Sequence, residues 1–316
     1  MKIDKINNKI IVELLNNCRI SNIRLGKKVG LSREGISNRI KKLEKSEVIS
    51  GYGIDVDFSK LGFMPHEVSI KLQNINGDKE NKIIKSFRSN NKIIFVEKVL
   101  GKFDYIIMIL VKSLAELDLE IEILRKELEG HLKEININAW IANYDTASSY
   151  FTENSNEKVS RHVEDEKTHH LSLIDKNLLK ELALNSRSSA VDLARKLNVS
   201  EITIANRIKA LLKNKIIKNI RATIDFEKLG LSKYVIFLNI SGVQSEIELS
   251  EFCKNHKLIS DFTKFIGQYN YSIEIIAKNN REFKKVVEEL LDNFSNIIID
   301  YETAILLEEI KHVSFK

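Results

Sequence analysis

Ser32-Arg33-Glu34-Gly35-Ile36-Ser37-Asn38-Arg39-Ile40-Lys41-Lys42-Leu43 reads as one helix with a chemically divided surface. Ser32 is an N-cap residue, whose side-chain oxygen can satisfy an orphan amide of the first turn. Ile36, Ile40 and Leu43 recur at helical spacing and form one apolar stripe. Arg33, Ser37, Asn38 and Lys41 fall on the other side, a basic surface with an amide. Arg can bridge two guanine acceptors, Asn can bridge the acceptor and donor of adenine, and Lys can meet a phosphate. Such a face suits the major groove of double-stranded DNA, with Arg39 and Lys42 at its margin. For Arg39 a phosphate contact and an intramolecular pairing with an acid such as Glu44 are both open.

The stretch recurs as Ser200-Glu201-Ile202-Thr203-Ile204-Ala205-Asn206-Arg207-Ile208-Lys209-Ala210-Leu211, which keeps the apolar stripe and the triplet Asn-Arg-Ile. Residues Asn7 to Gly62 align without a gap on Asp175 to Gly230, with about 21 of 56 positions identical, which is an internal duplication. Upstream of each copy lie two more apolar-periodic segments. Ser21 and Ser189 cap the second of them, and Gly30 and Asn198 end it, because both tolerate the left-handed conformation. Three short helices, the last two joined by a tight turn, make a helix-turn-helix. The apolar stretches Val48 to Val56 and Ile216 to Ile224 are read as a two-stranded wing in each copy.

Charge supports this division. The 316 residues carry a net charge of +6. Residues 1–62 alone hold 13 Lys/Arg against 7 Asp/Glu, residues 171–232 hold 12 against 6, and the rest of the chain is acidic. Positive charge concentrated in the repeated units is the footprint of nucleic-acid binding, and it disfavours a three-helix domain that binds only protein. Hydrophobic residues make up 43% and charged residues 30%, as in a globular protein. No apolar run is long enough to span a bilayer, and Met1-Lys2-Ile3-Asp4-Lys5 turns polar at once, so the expectation is a cytoplasmic protein with no membrane partner. Cys18 and Cys253 lie far apart and read as reduced thiols.

The segments after each helix-turn-helix repeat as well. The first shows a strand from His66 to Ile75 with Val68, Ile70 and Leu72 on one face, then a helix from Asp78 to Arg88. Strands follow over Lys92 to Leu100 and Phe103 to Val111, a helix over Leu114 to Leu128, and a strand over Leu132 to Ile141. The second runs Tyr234–Ile240, Glu246–His256, Leu258–Ile266, Tyr269–Ala277, Arg281–Leu291 and Ile297–Leu306. The order βαββαβ is the ferredoxin-like sandwich, whose uncovered sheet face needs a partner sheet. The fold class is therefore α+β: two winged helix-turn-helix units, each followed by a ferredoxin-like domain, forming an intrachain pseudo-dimer. The boundaries are 1–62, 63–148, a polar linker at 149–170, 171–232 and 233–316. His162, His169 and His170 in the linker have no further ligands near them in sequence, so neither a metal nor a cofactor is expected.

Taken together, the helix-turn-helix, the wing ending in Asp57-Phe58-Ser59-Lys60-Leu61-Gly62 and the hairpin Gly101-Lys102-Phe103-Asp104-Tyr105 resemble the Lrp/AsnC (leucine-responsive, feast/famine) family of regulators. The second half matches through Asn206-Arg207-Ile208-Lys209, Asp225 to Gly230 and Gly267-Gln268-Tyr269-Asn270-Tyr271. The resemblance implies a DNA-binding transcriptional regulator that is not an enzyme, whose C-terminal domains dimerise and take up amino acids or related metabolites at their interfaces. It carries DNA contact onto Ser32, Arg33, Ser37, Asn38, Arg39, Lys41 and Lys42, and onto Ser200, Glu201, Thr203, Asn206, Arg207 and Lys209. It carries effector contact onto Gly101, Asp104, Tyr105, Gly267, Asn270 and Tyr271. It also implies self-association of the pseudo-dimeric chains. For Gly101 and Gly267 a hairpin turn needing positive φ explains the residue equally well.

Two departures matter. Asp104 has Asn270 at its counterpart, so the two hairpins are not equivalent toward an amine. The recognition faces differ too, with Glu201 and Ala205 where the first copy has Arg33 and Ser37. The rival is an enzyme: some decarboxylases acting on sirohaem resemble the same fold. They carry histidines in the central hairpin, and Phe95 to Tyr105 and Phe262 to Tyr271 contain none.

Overall fold

The computed structural model describes residues 4–145, 150–151, 158–161, 168–242, 244–313 and 315. The first half runs α1 (Lys5–Asn16), α2 (Asn22–Val29), α3 (Arg33–Lys45), β1 (Ile49–Val56), β2 (Met64–Leu72), α4 (Gly77–Ser89), β3 (Ile93–Gly101), β4 (Tyr105–Val111), α5 (Leu114–Glu127) and β5 (Leu132–Asp145). After β6 (Lys158–Arg161) the second half repeats the order: α6 (Leu173–Leu184), α7 (Ala190–Leu197), α8 (Glu201–Lys213), β7 (Ile217–Ile224), β8 (Ser232–Ile240), α9 (Gln244–Asn255), β9 (Ile259–Gly267), β10 (Tyr271–Ala277), α10 (Asn280–Phe294) and β11 (Ile298–His312).

The helix boundaries follow local chemistry. Ser21, Ser32, Ser189 and Ser200 each accept a backbone N–H of the first turn they precede. Gly30 at φ 79° and Asn198 at φ 52° close α2 and α7 in the left-handed region.

The wing is two-stranded, but not within one copy. Each copy supplies a single strand, and β1 pairs antiparallel with β7 of the other half. The reason is in the core: the helices of both units pack on this ribbon, and Ile10, Leu14, Ile36 and Ile54 share one cluster with Leu178, Leu182, Ile204 and Ile220. Cys18 and Ser186, which correspond between the copies, touch at 3.1 Å across the pseudo-two-fold axis. The two helix-turn-helix units are therefore one folded body.

The ferredoxin-like halves do more than cover each other. The strand order β2-β4-β3-β11-β8-β10-β9-β5 closes through a β2–β5 pairing, so eight strands form a ring. The ring exists because β5 and β11 extend past their own sheets: β5 pairs with β9 of the second half, and β11 with β3 of the first. Each ring strand thus has a hydrogen-bonded neighbour on both sides. Outside the ring, Phe87, Ile107 and Leu124 head the core under the first-half helices, and Ile236, Leu249 and Leu290 that under the second-half helices. Inside it, Phe103, Ile106, Phe237 and Tyr269 plug the end carrying the hairpins.

The stretch 149–170 corrects the linker expectation in part. It contains β6, which pairs with β5, and Phe151, which stacks on Phe226 with centroids 6.1 Å apart. His162 lies outside the described residues. Among the described residues no group of His, Cys, Asp and Glu is arranged to hold a metal, and no helix is long and apolar enough to cross a membrane.

Candidate nucleic-acid interface and interior cavity

The recognition helices are α3 and α8. Arg33, Asn38, Lys41 and Lys42 stand exposed on α3, with Ser37 half-buried; Glu201, Asn206 and Lys209 stand exposed on α8. The rest of the candidate set has structural duties. Ser32 Oγ accepts from Gly35 N at 3.1 Å, and Ser200 Oγ accepts from Thr203 N at 3.1 Å while meeting the Thr203 hydroxyl at 2.9 Å. These side chains cap their helices. Arg39 donates to Asp4 at 2.7 Å and to Asn7 at 2.8 Å, and Arg207 reaches Asp175 at 3.4 Å. Both arginines tie the recognition helix to the first helix of its unit. Glu44, the acid considered for Arg39, accepts instead from the Tyr52 hydroxyl at 2.6 Å.

The hairpin residues expected at an effector site are bonded within the chain. The Asp104 carboxylate accepts from Lys71 Nζ at 2.8 Å and from Leu72 N at 2.7 Å. At the corresponding place Asn270 accepts from Ile240 N and donates to Ile240 O, both at 3.0 Å, and the counterpart of Lys71 is the neutral Asn239. The loss of charge at Asn270 is matched by the loss of a lysine. Tyr105 donates to Glu80 at 2.6 Å, and Tyr271 makes the corresponding bond to Glu246; both rings are buried in the cores under the helices. Gly101 and Gly267 do not have positive φ. They are glycines because neighbouring backbone crowds them: a Cβ would lie 2.5 Å from Thr303 O at Gly101 and 2.5 Å from Ile137 O at Gly267.

A cavity of about 370 Å³ opens between the β1–β7 ribbon and the ring interior. Strand alternation explains its lining. On β2 the residues Val68 and Ile70 face the helices, so Pro65 and Glu67 face inward; on β10, Ile273 and Ile275 face the helices, so Ser272 and Glu274 face inward. Glu97 from β3, Lys233 from β8, Asp261 from β9 and Trp140 from β5 join them. Arg221 enters from the ribbon and bonds Asp55 at 3.0 Å and also Asp145.

The electrostatics are acidic. Burial pushes the Glu67 carboxyl up to about 8 against a hydrogen bond from Asn138, with Glu274 adding to the rise. Burial likewise pushes Glu97 up to about 8, and the lone helpful charge is Lys233. Asp261 is raised well above the carboxylate range by burial and by Glu274, although Asn143 holds it at 2.6 and 2.8 Å. Burial pulls the Arg221 guanidinium down, but Asp145 and Asp55 outweigh it and keep it charged. Lys233 behaves in the same way among Glu274, Glu97, Glu309 and Asp261.

The cavity residues were not singled out from sequence, although a signal exists. Glu67/Ser69 and Ser272/Glu274 alternate with buried aliphatics, a pattern ordinarily read as a solvated face. A sheet whose second face is covered by its partner turns that polar face inward.

The helix-turn-helix units match the AsnC-type helix-turn-helix domain over residues 3–44 and 171–212. An HTH-type transcriptional regulator of Pyrococcus furiosus is 34% identical over 134 residues, which cover 42% of this chain and 84% of that protein. The HTH-type transcriptional regulator LrpC of Bacillus subtilis is 33% identical over 115 residues, 36% of this chain and 78% of its own. Among solved structures, the siroheme decarboxylase NirDL superposes with a TM-score of 0.67 over 98% of this chain and 94% of its own at 13% identity, a likeness of fold.

Proposed function

We propose that this chain, which belongs to the Lrp/AsnC family of transcriptional regulators, binds duplex DNA as a single-chain pseudo-dimer and responds to a small metabolite. The observation that supports it is the pairing of two non-identical recognition helices in one body through the β1–β7 ribbon. Arg33, Asn38 and Lys41 on α3, and Glu201, Asn206 and Lys209 on α8, face solvent and are the residues we assign to the grooves. Because the faces differ, the operator is an imperfect palindrome, its half-sites spaced by whole turns of about ten base pairs. Chains associate further through their ferredoxin-like halves in this reading.

The test is selection of fragments from sheared genomic DNA by the purified protein at about 50 and 200 mM salt. Enriched sites with unlike half-sites that survive the higher salt support the reading. Binding that vanishes at the higher salt without an enriched motif counts against specific regulation.

A second reading, decarboxylation of sirohaem, has one supporting observation: the likeness to NirDL extends over both halves. Against it, the cavity is lined by carboxyls that would repel the carboxylates of a tetrapyrrole, and among the described residues the only histidine on its wall is His312, beside Glu309 at 3.6 Å. A Soret shift on adding sirohaem to the purified protein would favour this reading.

A further inference from the structure

We propose that the cavity inside the strand ring is the effector pocket, and that its occupant is a small organic molecule bearing a protonated amine. The inference deepens the reading of this chain as a metabolite-responsive regulator and rests on it.

The first observation is an unanswered carboxyl. Glu97 is only 6% exposed and lines the cavity, yet its Oε1 has no hydrogen-bond partner. Buried polar atoms are almost always paired, so an orphan facing a cavity marks the place of a missing donor. The neighbouring Glu67, 7% exposed, has a single long bond of 3.4 Å from Asn138. Two buried carboxyls on adjacent walls thus face the same space with almost no donors between them.

The second observation is the charge balance. At this inner end Glu67, Glu97 and Glu274 face one cation, Lys233, which stands 3.7 Å from Glu274, while Glu309 has His312 beside it at 3.6 Å. Arg221 is engaged by Asp55 and Asp145, and Lys218, the other lysine on the wall, stands 3.0 Å from Asp57, so neither serves them. One further ammonium would satisfy the orphan oxygen and the charge deficit together, and an anion would worsen both. Trp140, Phe237 and Phe95 supply apolar wall for the rest of such a molecule. A cavity of about 370 Å³ fits a metabolite of modest size.

The third observation is where the halves diverge. Counterparts of the acids are not acids: Val235 stands for Glu67, Thr263 for Glu97, Met108 for Glu274, Asn143 for Glu309 and Phe95 for Asp261. The pseudo-two-fold axis passes through the cavity, so the duplicated chain holds one lopsided pocket there instead of two equal ones. Lopsidedness suits a ligand with one charged end.

Glu97 faces Glu67 on β2, Glu309 on β11, Lys233 on β8 and Glu274 on β10. With its carboxyl raised to about 8 by burial, an arriving ammonium draws it into the ionised form, so binding near neutral pH releases a proton.

The test is titration calorimetry on the full-length protein without DNA, at pH 7.5, using 1,4-diaminobutane and L-lysine as probes, with glutarate and 1,4-butanediol as charge controls. Saturable heat from an amine and none from the controls is the expected result. Glu97→Gln should weaken the amine by about tenfold or more, as loss of a charged hydrogen bond does. Buffers of different ionisation heat should report the released proton. No saturable heat from either amine, or heat unchanged in both Glu97→Gln and Glu67→Gln, overturns the proposal. DNA selection without amine binding would leave the regulator reading standing alone. Amine binding without DNA selection would leave the pocket standing while the regulator reading fails.

Discussion

Gly53 and Arg221 occupy corresponding positions of the two halves and stand opposite each other at the centre of the β1–β7 ribbon. The axis of the pseudo-dimer therefore passes between a residue with no side chain and a guanidinium. In a symmetric dimer two arginines would collide there, or two glycines would leave no guanidinium for Asp145 to meet. The fused chain holds one of each, and Arg221 ties the DNA-binding body to the strand ring through Asp145.

Arg221→Met should destabilise the full chain by about 3 kcal/mol, since removing one partner of a largely buried ion pair strands the other. The carboxylate that loses the guanidinium should be Asp145. Adding Asp145→Asn should recover much of the loss, and urea denaturation of the single and double variants measures the coupling. Strictly additive losses would show that the pair does not couple the two layers.

Much of this architecture was legible in the sequence, because it is built from local signals. Serine caps, Gly30 and Asn198 as helix stops, and period-2 alternation are written within a few residues of where they act. The duplication fixed the rest of the order. What was not legible depends on long-range pairing. Nothing near Tyr52 states that it pairs with Ala222 in the other copy, and nothing near Asn143 states that β5 continues onto β9. The candidate sites divided in the same way. Exposed groove residues such as Lys41 follow from helical phase alone. The true partners of Arg39 and Asp104 are Asp4 and Lys71, 35 and 33 residues distant, and only the fold brings them together. The acidic cavity escaped because its carboxyls come from many separate strands.

Stability should fall as pH rises from about 5 to about 8.5. Glu67 and Glu97 each have a folded-state pKa raised from 4.5 to about 8. Below 4.5 both folded and unfolded chains hold these protons, and there is no penalty. Between 4.5 and about 8 the unfolded chain gives them up while the folded chain keeps them, so unfolding gains and stability declines. Thermal melts across this range check the sign. Glu97→Gln should flatten the decline and raise the melting temperature at pH 8.5; an equal decline in the variant would show that other groups cause it.

Lys71 and Asp104 should behave as one exchangeable unit. Asp104→Asn alone leaves Lys71 without its charged partner, with only the Gly101 carbonyl at 3.4 Å, and the half-exposed setting limits the cost to about 1 kcal/mol. Lys71→Asn with Asp104→Asn reproduces the Asn239 and Asn270 arrangement of the second half and should return to near parental stability. A double-mutant cycle by urea denaturation measures this. A double variant worse than the sum of the singles would mean that the two hairpins are not interchangeable in their frames.

DNA recognition should separate Lys41 from Arg39 and respond to the difference between the two recognition helices. Lys41→Ala removes an exposed cation on the groove face and should flatten the dependence of log affinity on log salt by about one. Arg39→Ala breaks the bonds to Asp4 and Asn7 and should lower the melting temperature with little change in that slope. Fluorescence anisotropy across a salt series distinguishes them, and a slope change in Arg39→Ala equal to that of Lys41→Ala would return Arg39 to the phosphate backbone. Operator symmetry gives the stronger check. Arg33 suits guanine, whereas Glu201 suits the cytosine amino group and Ala205 the thymine methyl, so the half-sites should differ at the bases these residues meet. Converting α8 toward α3 by Glu201→Arg and Ala205→Ser should therefore shift selected sequences toward a symmetric palindrome. Sites that were already symmetric in the parent, or unchanged in the variant, would remove α8 from base readout and leave it a contact to phosphate alone.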